Sequence, residues 1–354
     1  MENWRPTNEF ADNLYYPEPK FNIGNDKYYM YMCEGVRGRG KTTRWFSKIC
    51  KRSIETGNKF VYLRRSEKEM ELALQAGLFN GCINIKEYKS FWEEYPKSEC
   101  RNGMIYLINK KGEKIHVGYY FTLNNVKGIS IEDADMLLFD EYVAQKRSQY
   151  KGGEQGLNEP SLFLRLLETL FRLRKFWVVL LGNRDTPSNP YNECWKIPFQ
   201  CPLLKDKSRG LWYEFDYSAE AVQHKATTPI GILSAGTSYA SYSMGDKSLS
   251  EIDESLIASK PSHATQVYNV KMLGKLITIW RDVKNAVLYL TTDCKFNSSV
   301  ATVCVTNSDM TINTDFIRYN GIFLDVMKSY YGSGKMRFNN QETAMYFATM
   351  LSLR

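Results

Sequence analysis

Eight consecutive residues restrict this chain more than any other feature: Gly35-Val36-Arg37-Gly38-Arg39-Gly40-Lys41-Thr42 satisfies G-x-x-x-x-G-K-[ST] at every defined position. The pattern carries meaning only between a strand and a helix, and the flanks supply both. Tyr28-Tyr29-Met30-Tyr31-Met32-Cys33 is a run of strand-favouring residues that enters the loop. Behind it, Trp45, Phe46, Ile49, Cys50 and Ile54 recur at the spacing of one helical face, which ends near Gly57. Phe60-Val61-Tyr62-Leu63 then reads as a second strand and completes a βαβ unit. Gly35, Gly38 and Gly40 permit backbone angles closed to other residues, so the loop amides can turn inward as an anion nest at the helix start. Lys41 is then expected on the β and γ phosphates of ATP, the Thr42 hydroxyl on Mg2+, and Arg37, Arg39 and Thr43 beside the nucleotide. A glycine-rich turn that binds nothing is the alternative.

Hydrolysis also needs an acid for the metal and a base for the attacking water. Met136-Leu137-Leu138-Phe139-Asp140-Glu141 offers a buried strand ending in two acids, at the carboxyl end where open α/β sheets place their ligands. Asp140 is the expected metal acid and Glu141 the expected general base. Paired acids also serve as plain strand-to-helix caps, and the glycine-rich loop upstream tips the reading toward chemistry. Between the two motifs, 104–108 and 114–121 flank Lys110-Lys111-Gly112-Glu113 as a β-hairpin, with a helical stretch at 67–78 before it. These look like insertions around a sheet with an extra strand between the nucleotide motifs, as in the additional-strand, catalytic-glutamate (ASCE) division of P-loop proteins.

Bulk properties narrow the class. A chain of 354 residues is long enough for two domains, and no apolar run approaches the roughly 20 residues of a membrane-spanning helix. The first 15 residues lack the apolar stretch of a secretory signal, so the chain is expected to stay where it is made. Eight cysteines without a CxxC pair, and three histidines, argue against zinc. The net charge of +8 points toward a polyanion, and 257–354 is the more basic part, with 11 Lys and Arg against 6 Asp and Glu.

Downstream of the acids, 144–159 is polar and glycine-rich, and its Lys146, Arg147 and Lys151 either touch nucleic-acid phosphates or are merely solvated. Pro160 then opens an amphipathic helix with Leu162, Phe163, Leu166, Leu167, Leu170 and Phe171 on one face. Arg172 sits at its end, away from the apolar stripe. It is either free to act on a neighbouring subunit as an arginine finger or, with Arg174 and Lys175, a complement to the helix dipole. Phe176-Trp177-Val178-Val179-Leu180-Leu181 is another buried strand, and Asn183 at its tip is either a γ-phosphate sensor or a turn residue. The reading divides the chain into a P-loop ATPase domain at 1–216, a linker or small linker domain at 217–255, and a C-terminal domain at 256–354. In that last part strands at 267–272, 276–280, 287–290 and 300–305 precede helices near 316–331 and 341–353. Strands followed by helices suggest an RNase H-like α+β domain. Asp282, Asp293, Asp309, Asp315 and Asp325 lie near strand ends and turns, which favours a vestigial nuclease over a working one.

The same residues carry a family resemblance. The chain resembles the DNA-packaging ATPases, or encapsidation proteins, of phi29-like podoviruses, in its glycine-rich loop with an internal arginine, Phe60-Val61-Tyr62-Leu63-Arg64-Arg65, Phe139-Asp140-Glu141, Phe171-Arg172-Leu173-Arg174, Asn183 with Asn189-Pro190-Tyr191, and Met336-Arg337-Phe338-Asn339-Asn340-Gln341. That resemblance implies a pentameric ring at the portal vertex of a procapsid in the host cytoplasm, hydrolysing ATP between subunits to translocate double-stranded DNA, with or without a packaging RNA that tethers the ring. It assigns Arg172 as the finger and gives the C-terminal domain the nuclease-derived fold. Two other functions stay open: a terminase-like protein with an active metal-dependent nuclease, and a non-motor P-loop assembly ATPase.

Overall fold

The computed structural model describes residues 20–123, 131–144, 149–151, 159–183, 189–198, 201–237, 240, 254–272, 274–305, 309–317 and 321–351. The chain forms two compact units, one from Met1–Gln145, Glu159–Asp185 and Gln200–Leu249, the other from Lys146–Asn158, Thr186–Phe199 and Ser250–Arg354. The motifs that carry chemistry all fall in the first.

In chain order the elements are β1 (Met30–Gly35), α1 (Lys41–Thr56), β2 (Lys59–Arg64), α2 (Glu67–Ala76), α3 (Lys89–Glu94), β3 (Lys97–Arg101), β4 (Met104–Ile108), β5 (Lys114–Thr122), β6 (Ala134–Asp140), α4 (Glu159–Phe171) and β7 (Trp177–Leu181). There follow α5 (Pro190–Cys194), which belongs to the second unit, and then β8 (Leu203–Asp206), β9 (Leu211–Asp216), α6 (Ala219–Ala226) and α7 (Pro229–Ser234). The sheet order is β3-β4-β5-β2-β6-β7-β1-β9-β8. Six neighbouring strands, from β5 through β9, run parallel, and antiparallel partners close both edges. Parallel strands covered on both faces must be apolar throughout, and Leu137, Leu138, Phe139, Val178, Val179 and Leu180 are all buried. β7 lies between β1 and β6, so one extra strand separates the loop strand from the acid strand.

Helix α1 forms where the sequence periodicity places it, with Trp45, Phe46, Ile49 and Cys50 buried. Its end is fixed by Gly57, whose φ of 78° lets its N–H close on the Ser53 carbonyl. Phe46 packs on Tyr62 and Phe79 at ring distances of 5.0 and 5.2 Å, which ties the helix to β2. The expected hairpin is β4 and β5, and the helix at 67–78 is α2, started by a reciprocal Ser66–Glu69 capping box. Within the segment read as a linker, 217–255, the described residues contain α6 and α7. Both group with the first unit, as does the chain up to Leu249.

The second unit holds β10 (Thr265–Met272), β11 (Lys275–Asp282), β12 (Val287–Thr291), β13 (Ala301–Cys304), β14 (Asp315–Phe316), α8 (Gly321–Gly332), β15 (Met336–Phe338) and α9 (Gln341–Leu351). Its strands order as β14-β13-β10-β11-β12-β15. Phe323, Leu324 and Met327 of α8, with Ala344, Phe347 and Met350 of α9, bury against Val270, Ile279 and Leu290 in one apolar core. Among the described residues no helix is long and apolar enough to cross a membrane.

Candidate functional site

Strand register brings the motifs to one level. Leu181 of β7 pairs with both Cys33 of β1 and Asp140 of β6, and Leu63 of β2 pairs with Phe139, so the loop, the acids, Asn183 and Arg64 all leave the sheet at the same carboxyl edge. The loop itself needs its glycines. Gly38 and Gly40 have φ of 81° and 65°, and a Cβ on Gly35 would sit 2.6 Å from the Asp216 carbonyl oxygen of the neighbouring strand. Gly40 is the N-cap of α1, so Lys41, Thr42 and Thr43 form its first turn.

Lys41 Nζ donates to the Val36 carbonyl (3.0 Å) and to Asn183 Oδ1 (3.3 Å). Burial lowers its pKa from the ordinary lysine value. Thr42 Oγ1 donates to Asp140 Oδ1 at 2.8 Å, which joins the loop to the acid strand across β7. Arg39 is turned to Asp216, with Nε and Nη2 on its two carboxylate oxygens at 3.2 and 3.1 Å, so its charge is neutralised within the loop's own frame. Arg37 offers the opposite case: its Nε is buried without a hydrogen-bond partner.

Arg64 binds both acids. Its Nη2 lies 3.0 Å from Asp140 Oδ2 and its Nη1 2.7 Å from Glu141 Oε2, while Nε donates to the Tyr62 hydroxyl at 2.6 Å. Burial raises the Asp140 pKa and Arg64 opposes that rise. Burial also works against the Arg64 charge, but Asp140, Tyr62 and Glu141 outweigh it and hold the guanidinium above its usual range. The two acids are not equivalent: the Asp140 side chain is 4% exposed and that of Glu141 52%.

Glu141 has φ of 58°, a left-handed conformation that is strained for a residue with a side chain. Arg65 holds it there, donating to the Glu141 carbonyl (3.2 Å) and the Tyr142 carbonyl (2.5 Å). The same guanidinium places Nε on both carboxylate oxygens of Glu159, each at 3.2 Å, and Glu159 is fully buried at the start of α4. Cutting one side of a buried pair leaves a stranded charge. Arg65→Met is therefore expected to destabilise the chain by about 3–5 kcal/mol, read from the urea midpoint. An unchanged midpoint would contradict that role.

The far end of α4 separates two arginines that the sequence treats alike. Arg174 Nη1 donates to the Ala134 carbonyl (3.1 Å) and Nη2 to the Leu170 carbonyl (2.8 Å), with further bonds to the Ile131 and Glu132 carbonyls. It is the residue that satisfies the helix end. Arg172 is exposed, with φ of 52°, and among the described residues its guanidinium makes no hydrogen bond or ion pair.

Other expected site residues fall elsewhere. Lys146 and Arg147 lie outside the described residues, and Lys151 is half-buried in the second unit. In that unit Asp282 accepts from Asn285 (3.2 and 2.7 Å) and faces His263 at 3.1 Å, and Asp309 accepts from the Gly274 N–H at 2.8 Å. The first is turn chemistry, and the second ties Asp309 to the turn between β10 and β11. Among the described residues no three His, Cys, Asp or Glu converge as a metal site. Reasoning from spacing overlooked Arg64, Arg65, Glu159 and Asp216. The Arg64-Arg65 pair was visible only as a matching segment, and nothing local marks Glu159 as the partner of Arg65 or Asp216 as the partner of Arg39.

The geometry fits a nucleoside triphosphate with a divalent ion: amides freed by glycines, a partnerless buried Arg37 Nε, a lysine at the helix start, and a hydroxyl already on a carboxylate. Residues 11–350 match the family model for the podovirus DNA encapsidation protein (Gp16). The DNA packaging protein of Bacillus phage phi29 is 24% identical over 324 residues, covering 87% of this chain and 88% of that protein. That of Bacillus phage B103 is 24% identical over 265 residues, 73% of this chain and 76% of that one. Among solved structures, a chain of the bacteriophage phi29 genome packaging motor assembly aligns with a TM-score of 0.56 at 21% identity, over 93% of this chain and 96% of that one. The Phi-28 gp11 DNA packaging motor aligns with a TM-score of 0.54 at 15% identity, over 94% and 96%. With its loop, its paired acids and nearly its whole length inside that match, the chain belongs to the podovirus DNA encapsidation protein (Gp16) family, the DNA-packaging ATPases of phi29-like phages.

Proposed function

We propose that this packaging ATPase works as one subunit of a homo-oligomeric ring, five copies by analogy with its relatives, and that Mg-ATP hydrolysed at the loop of each copy drives double-stranded DNA through the portal into a procapsid. The observation that carries the site assignment is the 2.8 Å bond from Thr42 Oγ1 to Asp140 Oδ1, which spans the extra strand and joins the two halves of an ASCE-type centre. Lys41 binds the terminal phosphates, and Thr42 and Asp140 hold Mg2+. The metal, when bound, supplies Lewis-acid charge on phosphoryl oxygens. Glu141 takes the proton of the attacking water, and its half-exposed carboxylate is the one of the two acids that water can reach. Asn183, already bonded to Lys41, orients groups at the terminal phosphate. Arg64, paired with both carboxylates, keeps them aimed.

Around this centre we assign Arg172 as the finger offered to the next subunit, and Lys146, Arg147 and Lys151 as contacts to DNA phosphates. Three consecutive antiparallel strands, β10 to β12, with β13 and β14 added parallel beyond β10, favour an RNase H-like reading of the second unit. Its role is to grip nucleic acid, the portal or a packaging RNA. Lys41→Ala tests the site assignment: affinity for Mg-ATP, measured by titration calorimetry, is expected to fall about 10- to 100-fold. Unchanged affinity would refute it.

A further inference from the structure

The segment that follows β9 brings a further cation to the loop. Gly35 pairs with Asp216, the last residue of β9, and Ser218 then caps α6 by accepting from the Ala221 N–H at 3.2 Å. This short connection delivers the last turn of α6 to the phosphate loop. There Lys225 Nζ donates to the Arg37 carbonyl at 2.9 Å and would stand 3.9 Å from a Cβ on Gly38. Lys225 is held from behind. Its carbonyl accepts from Thr228 Oγ1 at 2.6 Å and lies 2.2 Å from where a Cβ on Gly231 would be, so α7 closes against it only because residue 231 is glycine.

Lys41, Arg37 and Lys225 therefore crowd one loop, and Asp216 is already engaged by Arg39. Burial, then repulsion from Lys41 and Arg37, lowers the Lys225 pKa. Such a cluster is unfavourable by itself and favourable around a polyanion. A phosphate in the loop would meet the Lys225 ammonium as a charge-assisted donor beside the Arg37 carbonyl it already holds.

We infer that Lys225 is a second polyphosphate-binding lysine, supplied by α6, so that α6 and α7 form a lid that reads whether the loop holds a polyphosphate. The inference rests on the nucleotide-site reading above. A lysine that merely shapes the loop would be replaceable by glutamine, which can still donate to the Arg37 carbonyl, whereas a phosphate ligand needs the charge.

Lys225→Gln is thus expected to weaken ADP and ATP binding about tenfold while leaving AMP binding nearly unchanged, and Lys225→Arg to restore the ADP and ATP affinities to within about threefold of the native chain. An unchanged ATP-to-AMP affinity ratio in the glutamine variant would overturn the inference. Should that variant fail to fold, hydrogen exchange on the native chain decides: Mg-ADP is expected to slow exchange across residues 219–226, and equal rates with and without it count against the lid. The Lys41→Ala titration separates the two readings. Retained affinity there removes the nucleotide site itself, whereas a loss there with an unaltered ratio in the Lys225 variant removes only the lid.

Discussion

Glu141→Gln is expected to leave Mg-ATP affinity within about threefold of the native value and to lower the hydrolysis rate by about 10² to 10⁴. The asymmetry follows from position. Glutamine keeps the shape of the side chain and an oxygen for Arg64, which stands 2.7 Å from Glu141 Oε2, but it cannot accept the proton of water. Asp140, not Glu141, bonds the loop hydroxyl, so the Thr42–Asp140 side of the site is untouched. The measurement pairs a calorimetric titration with phosphate release under saturating ATP. If affinity and turnover fall together, Glu141 belongs to the binding set and the base must be sought elsewhere.

Arg172→Ala is expected to be as costly to hydrolysis in an assembled ring, since arginine fingers contribute about 10³ to 10⁵ to the rate. The variant should bind ATP normally, because its guanidinium is exposed and makes no hydrogen bond or ion pair among the described residues of its own chain. Its effect should therefore appear on neighbours. Titrated into native protein at fixed total concentration, with ring formation followed by light scattering, it is expected to depress activity more steeply than dilution. Activity that falls only in proportion to the mutant fraction would place the arginine outside any trans contact. Arg174→Ala serves as the contrast. It strips donors from the Leu170 carbonyl of α4 and from the carbonyls of residues 131, 132 and 134, and should lower stability instead.

These experiments also probe one physical link. Arg65 ties the carbonyl of Glu141 to Glu159, the first residue of α4, and Arg172 directly follows the last. A helix of 13 residues is about 20 Å of stiff rod. The turn that bears Glu141, the proposed base, is thus tied through Arg65 to one end of α4, and Arg172, the proposed finger, follows the other end.

Much of this was legible in the residue order. The glycine-rich loop, the helix behind it, the acids closing β6, the hairpin of β4 and β5 and the apolar stripe of α4 are local: each depends on neighbours one to four residues away, where periodicity and backbone freedom decide the outcome. Sequence therefore located the glycine-rich loop, and the lysine, hydroxyl and carboxylates that the sheet brings to one edge. It could not decide which distant groups meet them. Parallel pairing of β1 with β9 placed Asp216 beside Gly35 and carried Lys225 to the loop, and pairing of β2 with β6 set Arg64 over both acids. Those partners are 76 to 188 positions apart only because the chain crosses the sheet between them, and register between remote strands is settled by the packing of both faces, not by any local signal. Arg172 and Arg174 show the same limit two residues apart: identical in type and both just past the end of α4, they differ in surroundings because the carbonyls of 131, 132 and 134 fold back onto only one of them.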